Sequence, residues 1–470
     1  MDAQENNAHS AKEAIEFVVT ECDRLQNLIL PTAKTLQERF SRLTPADISC
    51  TIPLGNHGEL FCGWAAYRRL HQLAARWLAQ SDAVGTVEIY RVFDALRHRL
   101  GKAIAEAKGE LDEAAIPALI TDAINETKAA REDRVHFIPC RLMVANQPDV
   151  FQIGSVTFRA RKTFDQKMEP LYTACVANDP LERRERSAQL LEQVRHYYDG
   201  FGWVAEIKVL NCDPKTSEAR ARQAVTAAVN ILHLLFGAFH TDRMMAGGPR
   251  MPDDCRGHLY LNNKCELQIS CSWSTTSALG FQDDWIEHFR RRDFQFLLHS
   301  ARKAIEPLVN PAVQRPLGTR FIEAASWYGD AVRDESSAAR IVKAVSALEH
   351  AFSTGRGGRI TKTLSTRAAA VCYDEHGEKT FAGLVAEFTA AYDLRSELVH
   401  GRRSPFDPDV EERCAAIMEL AEMALCNLLA FYEASGMLDH PARNKERARK
   451  FDRLIELMQI ADSRRRRIAA

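Results

Sequence analysis

The sequence carries no excess of either charge. Its 470 residues include 62 Lys and Arg against 63 Asp and Glu, which gives a formal net charge of −1. A protein that coats nucleic acid non-specifically needs a strongly basic surface, so that class is excluded. Any contact with RNA would have to come from local basic patches.

The sequence also lacks the features of membrane and secreted proteins. No run of about 18 apolar residues is present, so no membrane span is expected. The N-terminus, Met1 to Asn7, is polar and shows no signal-peptide core. The 12 cysteines are scattered along the chain, which is typical of a reducing compartment. We therefore expect a cytoplasmic protein that makes no membrane contact.

Common metal-binding and phosphate-binding motifs are absent as well. Cys255, His258, Cys265 and Cys271 come nearest to a zinc set, but their spacing lacks the paired short loops of zinc modules. Free thiols are the favoured interpretation of these cysteines. Gly247-Gly248 lacks the Gly, Lys and Ser pattern of a phosphate loop. The sequence predicts no metal and no cofactor.

What the chain does contain is helical periodicity with one strand-rich interruption. Residues 1–133 read as helical, residues 134–284 mix strand and helix patterns, and residues 285–440 are helical again. Residues 441–470, with ten Lys or Arg and four Asp or Glu, are expected to form a basic C-terminal helix or tail. This predicts a mostly α protein with a small α+β middle domain, a possible sensor, and a C-terminal antiparallel helical bundle.

The predicted elements can be placed by residue. Strands are expected at 135–138, 151–158, 203–209, 259–261 and 267–271. Helices in the C-terminal part are expected at about 318–332, 336–353, 360–373, 378–400 and 408–435. Residues 40–60 and Met245 to Arg250 carry loop signals.

The stretch from Tyr392 to Gly401 is where chemically capable side chains meet a recognisable spacing. Phe381, Val385, Phe388, Tyr392, Arg395 and Val399 step by four and three, which predicts that Arg395 lies in line with the buried face of a helix. A buried guanidinium needs an anion, because it cannot lose its charge. Glu349 shares a helix face with Val345 and Phe352 and is the best candidate for that anion.

His400 precedes Gly401, which predicts that the histidine lies at the helix C-terminus. The helix end favours protonation and the nearby Arg395 opposes it, so a histidine that titrates near neutrality is expected. Five residues of helix turn the chain by about 500°, so the two side chains point about 140° apart. They converge only if the last turn loosens or if two chains build the site around a two-fold axis.

These residues resemble a known superfamily. Arg395-x4-His400 followed by Gly401 resembles the R-x4-6-H motif of the HEPN superfamily, and Arg-Ser-x-x-Val-His-Gly is similar to the branch named for the ApeA anti-phage proteins. Ala347-Leu348-Glu349 and the stretch from Thr363 to Ala370 agree with the second and third helices of that fold. The resemblance covers roughly residues 315–435.

The resemblance implies a metal-independent endoribonuclease that acts on transfer RNA or another structured RNA, as a toxin in abortive anti-phage defence. Arg395 and His400 would be catalytic: His400 as general acid/base for attack of the ribose 2′-oxygen, Arg395 as the phosphate holder. Ser396, Glu349, Tyr392 and Asp393 would be supporting residues. Serine after the arginine fits the ApeA-like branch, whereas many active members carry Asn, Asp or His there.

Several basic residues are candidates for binding RNA. Arg356 and Arg359 lie in a glycine-rich segment, where a plain interhelical loop is the simpler interpretation. The other candidates are Lys362, Arg367, Arg402 and Arg403. The tail ends in four arginines, 464–467, and is either a frayed, solvated end or an arm that attracts phosphate.

Two readings of the whole chain remain open. In the first, a homodimer formed through the HEPN-like bundle cleaves RNA, and residues 1–284 restrain it or sense a phage-derived trigger or an inhibitor protein. In the second, Arg395 and Glu349 form a structural ion pair with His400 as a helix cap. The bundle then only binds RNA or a partner as a dimer, and the N-terminal half binds a ligand.

Overall fold

The computed structural model describes residues 2–29, 35, 38, 40–48, 50–106, 115–143, 148–177, 180–248, 253–261, 267–275, 285–353, 360–439 and 444–469. The chain divides into two compact units. Unit 1 comprises Met1–Arg134 and Leu210–Ala219, and unit 2 comprises Val135–Val209 and Arg220–Ala470. The sequence had suggested four segments with divisions after residues 133, 284 and 440.

Unit 1 is built mainly from four long helices and a small hairpin. In chain order its elements are α1 (Asp2–Leu28), α2 (Pro45–Ile48), β1 (Thr51–Pro53), a 3-10 turn (Gly55–His57), β2 (Glu59–Phe61), α3 (Gly63–Ala79), α4 (Ile89–Glu106) and α5 (Ile116–Ala129). Apolar positions on α1, α3, α4 and α5, such as Val18, Leu70, Leu96 and Ile120, pack into one core. The expectation of loops over residues 40–60 missed α2 and the β1–β2 pair.

Gly101 explains how α4 approaches the hairpin so closely. A Cβ atom at this position would lie 1.9 Å from the Pro53 carbonyl oxygen of β1. Only glycine permits that approach of one backbone to another.

The sheet of the middle region has the strand order β4-β5-β6-β3-β7. Its strands are β3 (Glu132–Arg141), β4 (Val150–Ile153), β5 (Val156–Ala160), β6 (Trp203–Cys212) and β7 (Met245–Ala246). The expected strand over 151–158 is two strands, because Gly154 takes a φ of +61° and turns the chain into an antiparallel pair. Met245–Ala246, expected in a loop, pairs with β3.

Helices α6 (Arg161–Ala177), α7 (Leu181–Tyr198), α8 (Pro214–Phe236) and α9 (Ala238–Thr241) belong to the same region. The sequence predicted α7 and most of α8 but not α6, whose pattern is broken by Pro170. Strands β8 (Asp253–Leu261) and β9 (Leu267–Thr275) form the expected antiparallel hairpin. The predicted turn at Asn262-Asn263 lies outside the described residues.

Helices are the regular elements of the C-terminal part over the residues from 285 onward that the structure describes. Its elements are α10 (Trp285–Arg290), α11 (Arg292–Val309), α12 (Pro316–Val332), α13 (Ser337–Phe352), α14 (Ile360–Cys372), α15 (Phe381–Val399), α16 (Pro408–Ala434) and α17 (Asn444–Ala469). The predicted bounds of α12 to α16 agree within a few residues. Helix α13 packs on α12 and α16, and α14 packs on α15 and α17.

Of the helix or tail predicted at residues 441–470, Asn444–Ala469 form a helix that buries Phe451 and Arg447, so the frayed end, one of the two interpretations, does not describe this segment. Among the described residues, α16 is the one helix long and apolar enough to cross a membrane, and half of its apolar window is buried inside the protein. Such burial is also found in the core helix of a soluble protein.

Candidate active site

Helix α15 carries Arg395 and is fixed at both ends. At its start, Thr380 Oγ1 accepts a hydrogen bond from the Gly383 amide at 3.0 Å, and Asp462 Oδ1 of α17 accepts one from the Phe381 amide at 3.2 Å. Both acceptors satisfy amides that a helix start leaves unpaired. The position of Arg395 is therefore set by a capped helix.

The C-terminal end of α15 closes as a Schellman motif. The Arg402 amide donates to the Glu397 carbonyl at 2.8 Å and the Gly401 amide donates to the Leu398 carbonyl at 3.2 Å. Gly401 has a φ of +67°, in the left-handed region that this motif requires. The prediction that Gly401 ends the helix is confirmed.

The predicted apolar stripe of α15 was placed one position too far around the helix. The residues buried on α15 are Phe381, Leu384, Phe388, Ala391 and Leu394. Tyr392 and Arg395 flank this face and are partly buried, while Val399 is 50% exposed. The pattern misled because Val385 and Leu384 are both apolar, so two neighbouring stripes fit the spacing. Arg395 therefore lies at the border between core and surface.

Glu349 stands near the end of α13, which is held by three arginines. Arg320 Nε donates to the His350 carbonyl at 2.8 Å, Arg447 Nη2 to the Ala351 carbonyl at 3.2 Å, and Arg367 Nη1 to the Phe352 carbonyl at 2.8 Å. These carbonyls are the ones that a helix end leaves unpaired. Cations at a helix C-terminus also interact favourably with the negative end of the helix dipole. This cluster, Arg320, Arg367 and Arg447, fixes the end of α13 close to Glu349.

The predicted ion pair between Arg395 and Glu349 is present but loose. Arg395 Nη2 lies 3.5 Å from Glu349 Oε2, with side chains 23% and 29% exposed. The Arg395 Nε is buried and has no hydrogen-bond partner among the described residues. Since a guanidinium offers five donors, most of the hydrogen-bonding capacity of Arg395 remains open to another anion.

Tyr392 completes the surroundings of this guanidinium. The Arg395 Cζ lies 5.9 Å from the centre of the Tyr392 ring, within the range of a cation–π contact. Partial burial, and secondarily the charge of Glu349, raises the pKa of Tyr392. The phenol therefore keeps its proton at neutral pH and remains a hydrogen-bond donor.

His400 lies at the C-cap of α15 and is exposed. Its amide donates to the Ser396 carbonyl at 3.0 Å, the i to i−4 bond of a regular helix. The last turn therefore does not loosen, so within one chain Arg395 and His400 point about 140° apart. The imidazole has no hydrogen-bond or ion-pair partner among the described residues. The loosened last turn, one of the two routes to convergence, is therefore not seen in this chain, and a two-chain site stays a prediction.

The supporting residues are divided between the two faces. Ser396 is partly buried beside Arg395, and its carbonyl is the acceptor for the His400 amide. Asp393 is exposed on the outer side of α15. The structure thus brings together Arg395, Glu349 and Tyr392 but leaves His400 and Asp393 apart from them.

The predicted RNA-binding residues differ in accessibility. Lys362 and Arg402 are exposed. Arg403 is engaged by three carboxylates, those of Glu397, Asp407 and Asp409, at 2.9, 3.3 and 3.2 Å.

Arg367, a predicted RNA-binding residue, is almost inaccessible in this structure. The residue is only 6% exposed, its guanidinium lies over the Phe451 ring at 5.1 Å, and it donates to the end of α13. Its burial also lowers its pKa. Sequence spacing could not show this, because the acceptor carbonyls come from another helix. Arg356 and Arg359 lie outside the described residues.

Two of the four arginines at 464–467 form contacts within the protein. Arg465 donates to the backbone carbonyls of Lys379 and Glu378, and Arg466 pairs with Asp462 at 2.6 Å. Arg464 and Arg467 are exposed. The charge that remains available for phosphate is therefore smaller than the four-arginine run suggested.

Buried polar residues beyond this site were missed by the sequence analysis. Between α8 and α12, Arg333 Nη1 contacts Asn230 Oδ1 at 3.2 Å and His233 Nε2 at 3.0 Å. Burial, with the Arg333 charge as the second cause, lowers the pKa of His233 to about 3, so its ring is neutral. Nearby on α16, burial raises the pKa of Glu422 to about 7, and Tyr328 donates to this carboxyl at 3.1 Å. Polar residues inside otherwise apolar helical runs were the available signal.

No metal site is evident where the structure can be described. Among those residues, no group of three His, Cys, Asp or Glu could hold a metal ion. The strand register pairs position 271 with position 257 and position 258 with position 270, so His258 and Cys271 are not opposite each other on the ladder. Cys265 lies outside the described residues.

No protein-family model, curated protein or solved structure matches this chain.

Proposed function

We propose that this protein is a metal-independent endoribonuclease of the HEPN type, with the C-terminal helices forming the HEPN-like bundle. The observation that carries the proposal is the half-buried Arg395 guanidinium. Among the residues that the structure describes, it has one loose anionic partner and none for its Nε, and the exposed His400 caps the same helix. A cation held at the border of the core by a capped helix is suited to bind a phosphodiester.

In this proposal the two residues act on one phosphodiester across a dimer. His400 removes the proton of the ribose 2′-hydroxyl, the 2′-oxygen attacks phosphorus, and the bond from phosphorus to the 5′-oxygen breaks. The leaving 5′-oxygen takes up a proton, and the products are a 2′,3′-cyclic phosphate and a 5′-hydroxyl. Arg395 stabilises the charge that develops on the phosphate oxygens.

The two-chain arrangement is supported by the geometry of α15. Because the helix is regular to its end, one chain presents Arg395 and His400 on different faces. Two α15 helices around a two-fold axis would place His400 of the partner subunit near Arg395. Val399, 50% exposed, and Phe406, 92% exposed, lie within seven residues of His400 and are suited to be covered by that partner.

The biological setting is part of the same proposal. A cytoplasmic toxin that cleaves transfer RNA or another structured RNA during phage infection would need restraint before infection. We place that restraint, or recognition of a phage-derived trigger, in residues 1–284. A homodimer and RNA are the expected partners, and no cofactor is required.

The experiment compares the full chain with single variants on total transfer RNA in EDTA. We expect the wild type to release fragments with 2′,3′-cyclic phosphate ends, and His400→Ala to lose about 10²- to 10⁴-fold in rate. His376→Ala is the matched control, because this histidine is also exposed and lies outside α15. Cleavage by His400→Ala at the wild-type rate would overturn the assignment.

A second candidate function is a dimeric module that binds RNA or a partner without cleaving it. It is favoured by the Arg395–Glu349 pair, which partly occupies the guanidinium, and by the separation of Arg395 from His400 within one chain. The module predicts RNA binding that depends on Arg395 and not on His400, with no cyclic phosphate ends. A dimer that keeps its fold and RNA affinity in His400→Ala and that never cleaves would favour this candidate.

A further inference from the structure

Unit 1 contains a groove that the proposed nuclease does not use. It lies between α1 and α3 and has a volume of about 710 Å³. We name it the α1–α3 groove and define it by Phe17, Trp64, Arg68, Arg69, Gln72 and Arg76, which line it. Its volume lies in the range of small-molecule sites.

The groove carries positive charge. Arg68, Arg69 and Arg76 are exposed and line the groove from α3. Arg76 Nη1 donates to Ser10 Oγ of α1 at 2.6 Å, which holds this guanidinium in the groove. From Arg68 to Arg76 the helix rises about 12 Å, so the cations form a row. Such a row is suited to more than one phosphate group.

An aromatic platform adjoins the row of arginines. Trp64 is 50% exposed, and its ring stacks on Tyr67 at 5.4 Å with an interplanar angle of 11°. The Arg68 guanidinium lies 5.7 Å from the Trp64 ring, and the Arg69 guanidinium lies 4.8 Å from the Phe17 ring. Tyr67 therefore occupies part of the indole, and the exposed half of the ring is the surface on which a nucleobase can stack.

The other end of the groove is acidic. Glu21 and Asp47 both line it, and both pair with Arg24, at 2.6 and 3.3 Å. These carboxylates would repel the continuing phosphates of a nucleic-acid strand, but they can accept hydrogen bonds from the amino group of a base. The groove is therefore suited to a ligand with an aromatic base at one end and phosphates at the other.

We infer that the α1–α3 groove binds a phosphorylated nucleoside. The base stacks on Trp64, and the phosphates bind Arg68, Arg69 and Arg76. This site goes beyond the proposed nuclease and does not depend on it, since all its residues lie in unit 1.

Isothermal titration calorimetry of the full chain tests the inference. The probes are the four ribonucleoside 5′-diphosphates, adenosine, pyrophosphate and a 2′-O-methyl oligoribonucleotide that cannot be cleaved. We expect at least one diphosphate to bind at least tenfold more tightly than adenosine, pyrophosphate or the oligonucleotide. If none of the four binds, or if pyrophosphate binds as tightly, the inference is overturned. An oligonucleotide that binds more tightly than every diphosphate also overturns it and indicates a strand-binding groove.

Variants then locate the binding. Trp64→Ala and the double variant Arg68→Gln/Arg69→Gln should each weaken the diphosphate at least tenfold, whereas Trp64→Phe should stay within about threefold because it keeps an aromatic face. Arg186→Gln, an exposed arginine of α7, is the matched control and should bind as the wild type. Unchanged affinity in the groove variants, with melting temperatures equal to the wild type, would place the ligand elsewhere and overturn the inference.

Discussion

At the scale of single residues, the open question is what Arg395 binds. The half-buried Arg395 guanidinium has one carboxylate at 3.5 Å and, within the described part of the chain, no hydrogen-bond partner for its Nε. A structural role and a phosphate-binding role both fit the static geometry. They differ in how Glu349 acts: as a necessary partner in the first case and as a competitor of the phosphate in the second.

Glu349→Gln separates the two roles. The partly exposed pair contributes at most about 1 kcal/mol, so we expect little change in the free energy of unfolding. If Arg395 binds phosphate, loss of the competing carboxylate should tighten RNA binding about threefold to tenfold, whereas Arg395→Gln should weaken it. Filter binding of transfer RNA at fixed salt, together with urea unfolding, provides both measurements. A structural pair would show unchanged RNA affinity in both variants.

Glu422 offers a second test at this scale, through pH. Burial raises its pKa from 4.5 to about 7, so the folded state holds this proton more tightly than the unfolded state does. Its contribution to stability is therefore fully present below pH 4.5 and is lost as the pH rises through about 7.

Glu422→Gln, which keeps an acceptor for Tyr328, should remove that pH dependence. At pH 8 we expect the variant to be more stable than the wild type by about 2 kcal/mol, after allowance for solvent screening, and the two should be equal at pH 4.5. Urea unfolding at the two pH values measures the difference. Glu412→Gln, an exposed position on the same helix, should show no such divergence. A constant offset at all pH values would contradict the assignment.

At the scale of elements, the arginine cluster at the end of α13 is the most unusual feature. Arg447 is fully buried, and its Nη2 donates to the carbonyls of Ala351 and Ser353. Burial lowers its pKa to about 10, so the residue remains charged at neutral pH. Through this arginine, helix α17 holds the C-terminal end of α13, the helix that carries Glu349.

Arg447→Leu should destabilise unit 2 because it leaves the Ala351 carbonyl without its side-chain donor, whereas the Ser353 carbonyl keeps Arg320 Nη2 at 2.6 Å. We expect a loss of about 1–3 kcal/mol in the free energy of unfolding. Chemical denaturation followed by circular dichroism measures it. Arg453→Leu, an exposed arginine of the same helix, should change stability by less than about 0.5 kcal/mol. If both variants lower the free energy of unfolding equally, the hydrogen bonds from Arg447 to the end of α13 contribute nothing to stability.

Elements of this fold differed in how well the sequence predicted them. Helices α12 to α16 were placed within a few residues because each carries a long apolar period and recognisable ends, such as Thr380 and Gly401. Helix α6 was missed, since its Pro170 and weak periodicity hide a helix that tertiary contacts stabilise. The local sequence pattern is enough to predict α12 to α16, whereas α6 forms because of its packing, which the pattern does not show.

The candidate site shows the same division. The pairing of Arg395 with Glu349 was predictable from the need of a guanidinium for an anion and from the helix face that Glu349 shares with Val345 and Phe352, although the stripe assigned to α15 was one position off. The burial of Arg367 and Arg447 was not predictable, because their acceptors are backbone carbonyls of another helix, and side-chain spacing carries no signal for backbone acceptors. From the sequence alone, an arginine among other basic residues is predicted to be solvated, because the acceptors that would bury it are not visible in the sequence.

At the scale of the whole molecule, the proposed chemistry requires two copies of the chain. The regular end of α15 keeps Arg395 and His400 apart, so a monomer would lack a composite site. Phe406 is 92% exposed in the segment that follows His400, where an unpaired aromatic ring is costly in water. We expect this ring to lie in the interface between the two copies.

Phe406→Glu tests that expectation on the full chain. A buried carboxylate in an apolar interface is unfavourable, so the variant should shift the protein from dimer to monomer at micromolar concentration and reduce RNA cleavage by the same fraction. Analytical ultracentrifugation measures the first effect, and release of cyclic phosphate ends in EDTA measures the second. Phe239→Glu is the matched control, because Phe239 is 89% exposed and lies far from His400 in the sequence. If the Phe406 variant stays dimeric, this surface is not the interface. A monomeric variant that cleaves as the wild type does would show instead that one chain holds the complete site.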